Sequence, residues 1–164
     1  MGLISSGCAF SGHRSIKAEH LSELPDLLSR AIEYAYNQGC RDFYSGGAIG
    51  FDTLAAREVL RFRISHPDVR LVMLLPCIDQ DSYWNERQKE NYSYILSSAD
   101  EVIYISDEYT STCIKERNLR LAESADIMVC YLSRRASGAG QTVGMAERMG
   151  KRIYKLYPTL NNLS

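Results

Sequence analysis

Residues 43–56, FYSGGAIGFDTLAA, pass from a short apolar run through a loop with three glycines to the start of an amphipathic run. One carboxylate, Asp52, stands where the amphipathic run begins. The apolar run predicts a buried strand, and the helical spacing of apolar side chains after Asp52 predicts a helix over residues 52–65. The stretch therefore predicts a strand, a glycine loop and a helix in immediate succession, as in a βαβ unit.

The same alternation of strands and helices continues along the rest of the chain. Residues 69–76, VRLVMLLP, are almost entirely apolar, as expected of a strand covered on both faces. Strands are predicted at residues 7–10, 42–44, 69–76, 101–105, 126–132 and 152–156, and helices at residues 22–38, 52–65, 82–97, 111–124 and 141–149. We therefore expect an α/β fold, a Rossmann-like three-layer α/β/α sandwich with a mostly parallel sheet of about six strands.

Length and composition narrow the class of protein further. A chain of 164 residues suits one domain, residues 1–164, in which residues 157–164 are expected to be a frayed tail. The formal net charge of −1 provides no general attraction to nucleic acid, so nucleic acid is not expected as a partner. No apolar run reaches membrane-spanning length and the N-terminus does not resemble a signal peptide, which predicts a cytoplasmic protein without membrane contact.

The cysteines and histidines do not have the spacing of a metal site. The five cysteines are scattered and form no C-x-x-C pair, which favours small buried hydrophobic side chains in a reducing compartment. No metal site and no required cofactor are expected. These residues are Cys8, Cys40, Cys77, Cys113, Cys130, His13, His20 and His66.

In open parallel sheets, ligands bind outside the carboxyl ends of the strands, so the loops that follow strands are the candidate site. The first such loop is Ser11, Gly12, His13 and Arg14. Arg14 could pair with a phosphate through its planar fork, and His13 could donate a hydrogen bond or titrate near neutral pH. The alternative is a tight turn with two exposed polar residues.

The second loop is the glycine loop of the opening stretch. Ser45, Gly46, Gly47 and Gly50 would let phosphate oxygens approach free N–H groups at a helix N-terminus. Asp52 would repel a phosphate above it, so it is either a helix cap or an acceptor for a ribose hydroxyl. The spacing matches neither G-x-G-x-x-G nor a P-loop.

The third loop contains Gln80 and the only tryptophan of the chain, Trp84. Trp84 could stack on a nucleobase, or it could pack its helix against the sheet. Arg117 and Asn118 lie on the helix before the fifth strand, where Asn118 could reach a ligand or face solvent.

The fourth loop follows the fifth strand and again opens a helix with small residues. Its backbone N–H groups and hydroxyls would form a second anion site, which together with the glycine loop suits a nucleotide or sugar phosphate. The candidate ligand-binding residues of this loop are Ser137, Gly138, Gly140, Gln141 and Thr142.

Five motifs in order resemble those of the YpsA-like proteins of the SLOG superfamily, over residues 8–156. They are S-G-H-R, S-G-G-A-x-G-x-D, Q-x-x-x-W, R-N and G-x-G-Q-T. The superfamily also contains the DprA/Smf DNA-processing proteins and the LOG phosphoribohydrolases. The resemblance implies a Rossmann-like fold that binds a nucleotide or a nucleotide-derived ligand, with links to stress responses and cell division.

The LOG catalytic motif, P-G-G-x-G-T-x-x-E, is not matched. Met145 stands where the resemblance implies the catalytic Glu, and Glu147 lies two positions further on. A binding protein is therefore favoured over an enzyme. The DprA-like link implies single-stranded DNA as a partner, but the chain lacks the basic net charge that this would require.

Three hypotheses follow. The first is a binding or sensor protein for a nucleotide, nucleotide sugar or ADP-ribose-like ligand. The second is a hydrolase or transferase acting at the N-glycosidic bond of nucleoside monophosphates, with Asp52, Glu147 or His13 as the candidate catalytic residue. The third is a homodimeric interaction module with a vestigial site, in which a tyrosine-rich surface packs two copies together. Those tyrosines are Tyr34, Tyr36, Tyr83, Tyr92 and Tyr94.

Overall fold

The structure is a computed structural model that describes residues 6–161. The strands are β1 (Ser6–Gly12), β2 (Cys40–Ser45), β3 (Arg70–Leu75), β4 (Glu101–Tyr104), β5 (Ile127–Tyr131) and β6 (Arg152–Lys155). The helices are α1 (Leu24–Asn37), α2 (Phe51–Ser65), α3 (Glu86–Ser98), α4 (Cys113–Ser124), α5 (Gly138–Arg148) and α6 (Tyr157–Asn161), with a 3₁₀ turn at Ala18–His20. All neighbouring strands run parallel in one sheet, in the order β4-β3-β2-β1-β5-β6. The expected Rossmann-like α/β fold is confirmed.

Helices cover both faces of this sheet, so each face has its own hydrophobic core. Successive residues of β1 point to opposite faces: Cys8 and Phe10 belong to one core and Ala9 to the other. Side chains of α1, α2, α3 and α6 fill the first core, and side chains of α4 and α5 fill the second. This burial on both faces explains why the inner strands read as almost continuous apolar runs.

The order of the strands reverses at β1. The chain adds β2, β3 and β4 outward on one side of β1, and then returns to place β5 on its other side. Gly12 at the end of β1 lies beside Tyr131 at the end of β5 in the strand register. The loops after β1 and β5 therefore diverge at the switch point, where folds of this kind form a ligand crevice.

The starts of two helices, α3 and α5, differ from the predicted positions by more than two residues. Helix α3 begins at Glu86 rather than near residue 82, because Asn85 and Gln88 form a capping box there, with hydrogen bonds of 2.8 and 3.1 Å. Helix α5 begins at Gly138 rather than at residue 141, because the hydroxyl of Ser137 accepts the N–H of Gly140. The small residues of the fourth loop thus lie inside the first turn of α5.

The end of the described chain is helical rather than frayed. Residues 157–161 form α6, and Tyr157 and Leu160 are buried in the first core. His20 is also buried, and its ring lies 2.6 Å from the hydroxyl of Tyr131 and 3.2 Å from Oδ1 of Asn161. These contacts anchor α6, and only residues 162–164 of the predicted tail lie outside the described residues.

All five cysteines are buried and unpaired, which confirms their interpretation as small hydrophobic side chains. Within residues 6–161, no helix combines the length and the apolar character needed to cross a bilayer.

Candidate functional site

A cavity of about 540 Å³ lies at the switch point between β1 and β5. This volume is within the range of small-molecule sites in proteins. The loops after β1 and β5 and the N-terminal ends of α2 and α5 contribute its walls, together with one face of α4. Of the predicted site residues, the cavity is lined by Ser11, Gly12, His13, Arg14, Asp52, Arg117, Asn118, Ser137, Gly138 and Thr142.

The N-terminus of α5 offers free hydrogen-bond donors to this cavity. The backbone N–H groups of Gly138 and Ala139 donate to no acceptor among residues 6–161, whereas that of Gly140 is capped by Ser137. Gly138 and Ala139 line the cavity, and a Cβ added at Gly138 would meet no atom within 4 Å. Two N–H groups and the positive end of the helix dipole therefore face open space, as in an anion site.

The carboxylate of Asp52 lies at the bottom of the cavity and is only 7% exposed. One oxygen accepts the N–H of Ala48 at 3.4 Å. The other oxygen accepts no hydrogen bond from the described residues. In this part of the chain, every side-chain oxygen or nitrogen that is closed off from solvent has a hydrogen-bond partner. The second oxygen of Asp52 is therefore accessible, and it opens onto the cavity that Asp52 lines. Burial raises the pKa of Asp52 from 3.8 to about 6, against the opposing effects of Arg117, the Ala48 N–H and Arg14.

Arg117 places a buried positive charge in the same wall, with 5% of its surface exposed. Its Nη1 donates to the carbonyl of Gly46 at 2.6 Å and its Nε donates to Asn118 at 2.9 Å. Burial lowers the pKa of Arg117, and the nearby charge of Asp52 counteracts this effect. The two groups thus stabilise each other's charges, although their side chains form no direct ion pair among the described residues.

His13 holds the loop after β5 in place. Its Nε2 accepts the backbone N–H of Ser133 at 2.8 Å, so a neutral ring carries its proton on Nδ1. Burial, together with the charge of Arg134, lowers the pKa of His13 and favours this neutral form. Because the lone pair of Nε2 is already engaged, His13 is suited to positioning and to donating from Nδ1, and poorly suited to acting as a general base.

The glycines of the second loop contact protein atoms rather than the cavity. A Cβ at Gly46 would stand 2.6 Å from Nη1 of Arg117, and a Cβ at Gly50 would collide with the backbone of Arg14. Gly47 lies in the left-handed region, at φ 71°, and its N–H donates to Ser45. Ser45 is fully buried. This loop therefore holds Arg117, Arg14 and Asp52 in position. Of residues 45–52, Ala48 and Asp52 are the ones that line the cavity.

Gln80 contacts the glycine loop, Trp84 packs against Tyr92, and neither residue lines the cavity. The amide of Gln80 lies 3.5 Å from the carbonyl oxygen of Gly46 and 3.0 Å from the hydroxyl of Tyr92. Trp84 packs edge-on against Tyr92, with ring centroids 4.9 Å apart. Of the two interpretations of Trp84, the structure shows the packing one.

Three further predicted residues on α5 also lie away from the cavity lining. Gly140 is buried, where a Cβ would collide with the backbone of Arg135. The side chain of Gln141 is exposed outside the cavity. Glu147 forms a two-pronged ion pair with Arg135, which lowers the pKa of Glu147. Glu147 is therefore the ion-pair partner of Arg135 and lies outside the cavity lining.

The tyrosines proposed as a dimer surface are divided between packing and solvent. Tyr92 is buried, Tyr34 packs against Tyr154, and Tyr36 donates to Asp68. Tyr83 and Tyr94 are exposed, at 99% and 51%. The homodimer stays a prediction; Tyr83 and Tyr94 are the most exposed of the five tyrosines, and Tyr34 and Tyr36 are half-buried.

The cavity also contains residues that the sequence analysis did not select. Ser133 and Arg134 lie in the same loop after β5 as Ser137, so taking that whole loop rather than only its small residues would have found them. Ile114 and Leu121 lie about one helical turn on either side of Arg117 and therefore share its face of α4. The other such lining residues are Ser15, Lys17, Ala48, Ala139, Tyr131 and Tyr157.

The charges around the cavity are unequal. Of the described residues that line it, Arg14, Lys17, Arg117 and Arg134 are cationic, and Asp52 is the single carboxylate. This arrangement suits an anionic ligand that also presents a hydroxyl or amine to Asp52.

Comparisons with known proteins identify relatives of this chain among Bacillus proteins. The prophage-derived protein YoqJ of Bacillus subtilis is 23% identical over 160 residues, covering 89% of this chain and 90% of YoqJ. A UPF0398 protein of Bacillus cereus is 30% identical over 114 residues, which cover 68% of this chain and 62% of that protein. The chain thus spans less than two thirds of the UPF0398 protein.

Two solved structures of DNA processing protein A, DprA, show the same fold. That from Streptococcus pneumoniae has a TM-score of 0.67 at 16% identity, covering 93% of this chain and 50% of the DprA chain. That from Helicobacter pylori, a DprA with a single-stranded DNA binding mode, has a TM-score of 0.65 at 19% identity, covering 92% of this chain and 64% of the DprA chain. The expectation that nucleic acid is not a partner gains no support from this neighbour, and it stays a prediction.

The family comparison extends over nearly the whole described chain. Residues 11–156 match the model of the YspA SLOG family, a range that includes the loops after β1 and β5 and both glycine-containing helix starts. The fold and the order of the motifs agree with this match. The chain belongs to the YspA SLOG family.

Proposed function

We propose that the protein binds a nucleotide or a nucleotide-derived small molecule in the cavity at the switch point. The observation that carries the proposal is the carboxylate of Asp52, which is buried, has one weak hydrogen bond and opens into a cavity whose other charged lining residues are cations. A buried carboxylate that keeps a free oxygen needs a hydrogen-bond donor, and the hydroxyls of a ribose are such donors.

Other residues that line the cavity support a phosphate in the same ligand. The free N–H groups of Gly138 and Ala139 and the exposed guanidinium groups of Arg14 and Arg134 are donors suited to phosphate oxygens. Apolar side chains such as Ile114 and Leu121 provide contact area between these polar walls. A sugar phosphate would thus meet complementary groups at both ends.

Calorimetry with AMP, ADP and ADP-ribose tests this proposal. We expect binding to the purified protein, and we expect Arg14→Ala to weaken it about tenfold, the effect of losing one charge-assisted hydrogen bond. Arg30→Ala is the matched control, because Arg30 is an exposed arginine of α1 outside the cavity. Absence of binding by all three nucleotides would overturn the proposal, and tight binding of a single-stranded oligonucleotide in their place would point to nucleic acid.

A second candidate function is hydrolysis at an N-glycosidic bond, and the pKa of Asp52 favours it. A carboxyl group with a pKa of about 6 can exchange a proton near neutral pH, as a general acid or base must. If this activity exists, chromatography should detect free base released from a nucleoside monophosphate, and Asp52→Asn should reduce the rate at least about a hundredfold. No base release by the unaltered protein excludes this function and leaves the binding proposal intact.

A further inference from the structure

A second, smaller cavity of about 220 Å³ lies beside the first, at the carboxyl ends of β5 and β6. Three residues, Ser133, Arg134 and Tyr157, line both cavities, so the two share a wall. That wall is fixed from the first cavity by His13, which accepts the N–H of Ser133 at 2.8 Å. The two cavities are therefore adjoining compartments of one depression across the ends of β1, β5 and β6.

The interior of the second cavity is mostly apolar. Leu132, Val143 and Pro158 line it, together with the thiol of Cys130. Burial raises the pKa of Cys130 to about 11, so this thiol is neutral at physiological pH. The floor thus offers van der Waals contact without a negative charge.

The rim of the second cavity is positive. Lys155 and Arg134 line it without a carboxylate partner among the ion pairs of residues 6–161. Arg135 also lines it, but Glu147 neutralises this guanidinium through two hydrogen bonds. An uncharged polar or anionic group is therefore favoured in this cavity, and a positively charged ring is disfavoured.

We propose that the second cavity is the subsite for the distal part of a two-part ligand, a nucleoside diphosphate whose terminal phosphate carries an uncharged or anionic, sugar-sized substituent. The proposal rests on the nucleotide site proposed for the first cavity. The diphosphate would cross the shared wall at Ser133 and Arg134, close to the free N–H groups of α5, and the substituent would occupy the space above Leu132 and Val143.

Calorimetry with a graded series of probes tests the subsite. We expect ADP-ribose to bind about tenfold more tightly than ADP, because only ADP-ribose fills the second cavity. NAD⁺ should bind about tenfold more weakly than ADP-ribose, because its nicotinamide ring is positively charged. Lys155→Glu should reduce the preference for ADP-ribose over NAD⁺ to about twofold or less, with little change in the affinity for ADP.

Lys151→Glu is the matched control. Lys151 precedes β6, whereas Lys155 ends it, so the same change of charge is placed at the opposite end of the strand and outside the cavity. Equal affinities for ADP and ADP-ribose, unchanged in Lys155→Glu, would overturn the subsite and leave the nucleotide site standing. Tighter binding of NAD⁺ than of ADP-ribose would overturn it too, and failure of every probe to bind would overturn both proposals.

Discussion

At the scale of single residues, the cavity lining contains one carboxylate, that of Asp52, which is buried away from water. Asp52 is buried at the first turn of α2, where the helix dipole and two arginines favour its charge and desolvation opposes it. Desolvation outweighs the other effects, so the pKa of Asp52 rises from 3.8 to about 6. The charged carboxylate therefore lowers the stability of the folded protein near neutral pH, and stability alone does not account for its presence in the site.

The raised pKa of Asp52 predicts how stability depends on pH. Between pH 3.8 and about 6 the folded protein binds a proton that the unfolded chain has released, so the free energy of unfolding falls as pH rises through this range. Asp52→Asn removes this dependence. We expect the free energy of unfolding of the variant, relative to that of the unaltered protein, to increase by about 2 kcal/mol as the pH is raised from near 4 to near 7. Urea denaturation at each pH measures this difference.

The control for this measurement is Asp107→Asn, which replaces an exposed carboxylate outside the cavity. It should show a stability difference that stays level over the same pH range. If the difference between Asp52→Asn and the unaltered protein were also level, the carboxylate would not be desolvated as the structure indicates.

At the scale of elements, the two glycine-containing helix starts have different tasks. The start of α2 and the loop before it use several N–H groups internally: the N–H of Phe51 donates to the carbonyl of His13, that of Thr53 to the carbonyl of Ala48, and that of Ala48 to the carboxylate of Asp52. The start of α5 leaves N–H groups free. The sequence predicts both as similar phosphate loops, because composition does not reveal which donors are consumed within the protein.

Adding one methyl group at each helix start distinguishes these tasks. Gly50→Ala should destabilise the protein by more than about 2 kcal/mol, because Gly50 has φ 85° and its Cβ would collide with the backbone of Arg14. Gly138→Ala should leave stability within about 0.5 kcal/mol, because its Cβ meets no protein atom, yet weaken nucleotide binding about tenfold.

Urea denaturation and calorimetry on the two variants provide the comparison. Nucleotide affinity in Gly138→Ala equal to that of the unaltered protein would show that the start of α5 does not contact the ligand. A stable Gly50→Ala variant would show that the loop before α2 can move away from Arg14.

At the scale of the whole molecule, the alternation of apolar and amphipathic runs was sufficient to predict the fold. Residues 69–76 read as a doubly covered strand because β3 is one. The sequence also predicted that the loops after strands would converge, and Asp52, Arg117 and Gly138 do line one cavity. It could not separate Trp84, which packs against Tyr92, from Tyr131, which lines the cavity, since an aromatic residue type alone does not reveal which surface the side chain contacts.

The central position of β1 has a consequence for synthesis on the ribosome. On one side β1 pairs with β2, which follows within about thirty residues, but its other partner is β5, at Ile127–Tyr131. At roughly 5–20 residues per second, the β5-facing edge of β1 stays uncovered for roughly 6–24 s after its own translation. A chain that has not yet reached β5 therefore exposes a hydrogen-bonding edge and lacks the cavity wall that the loop after β5 and the start of α5 provide.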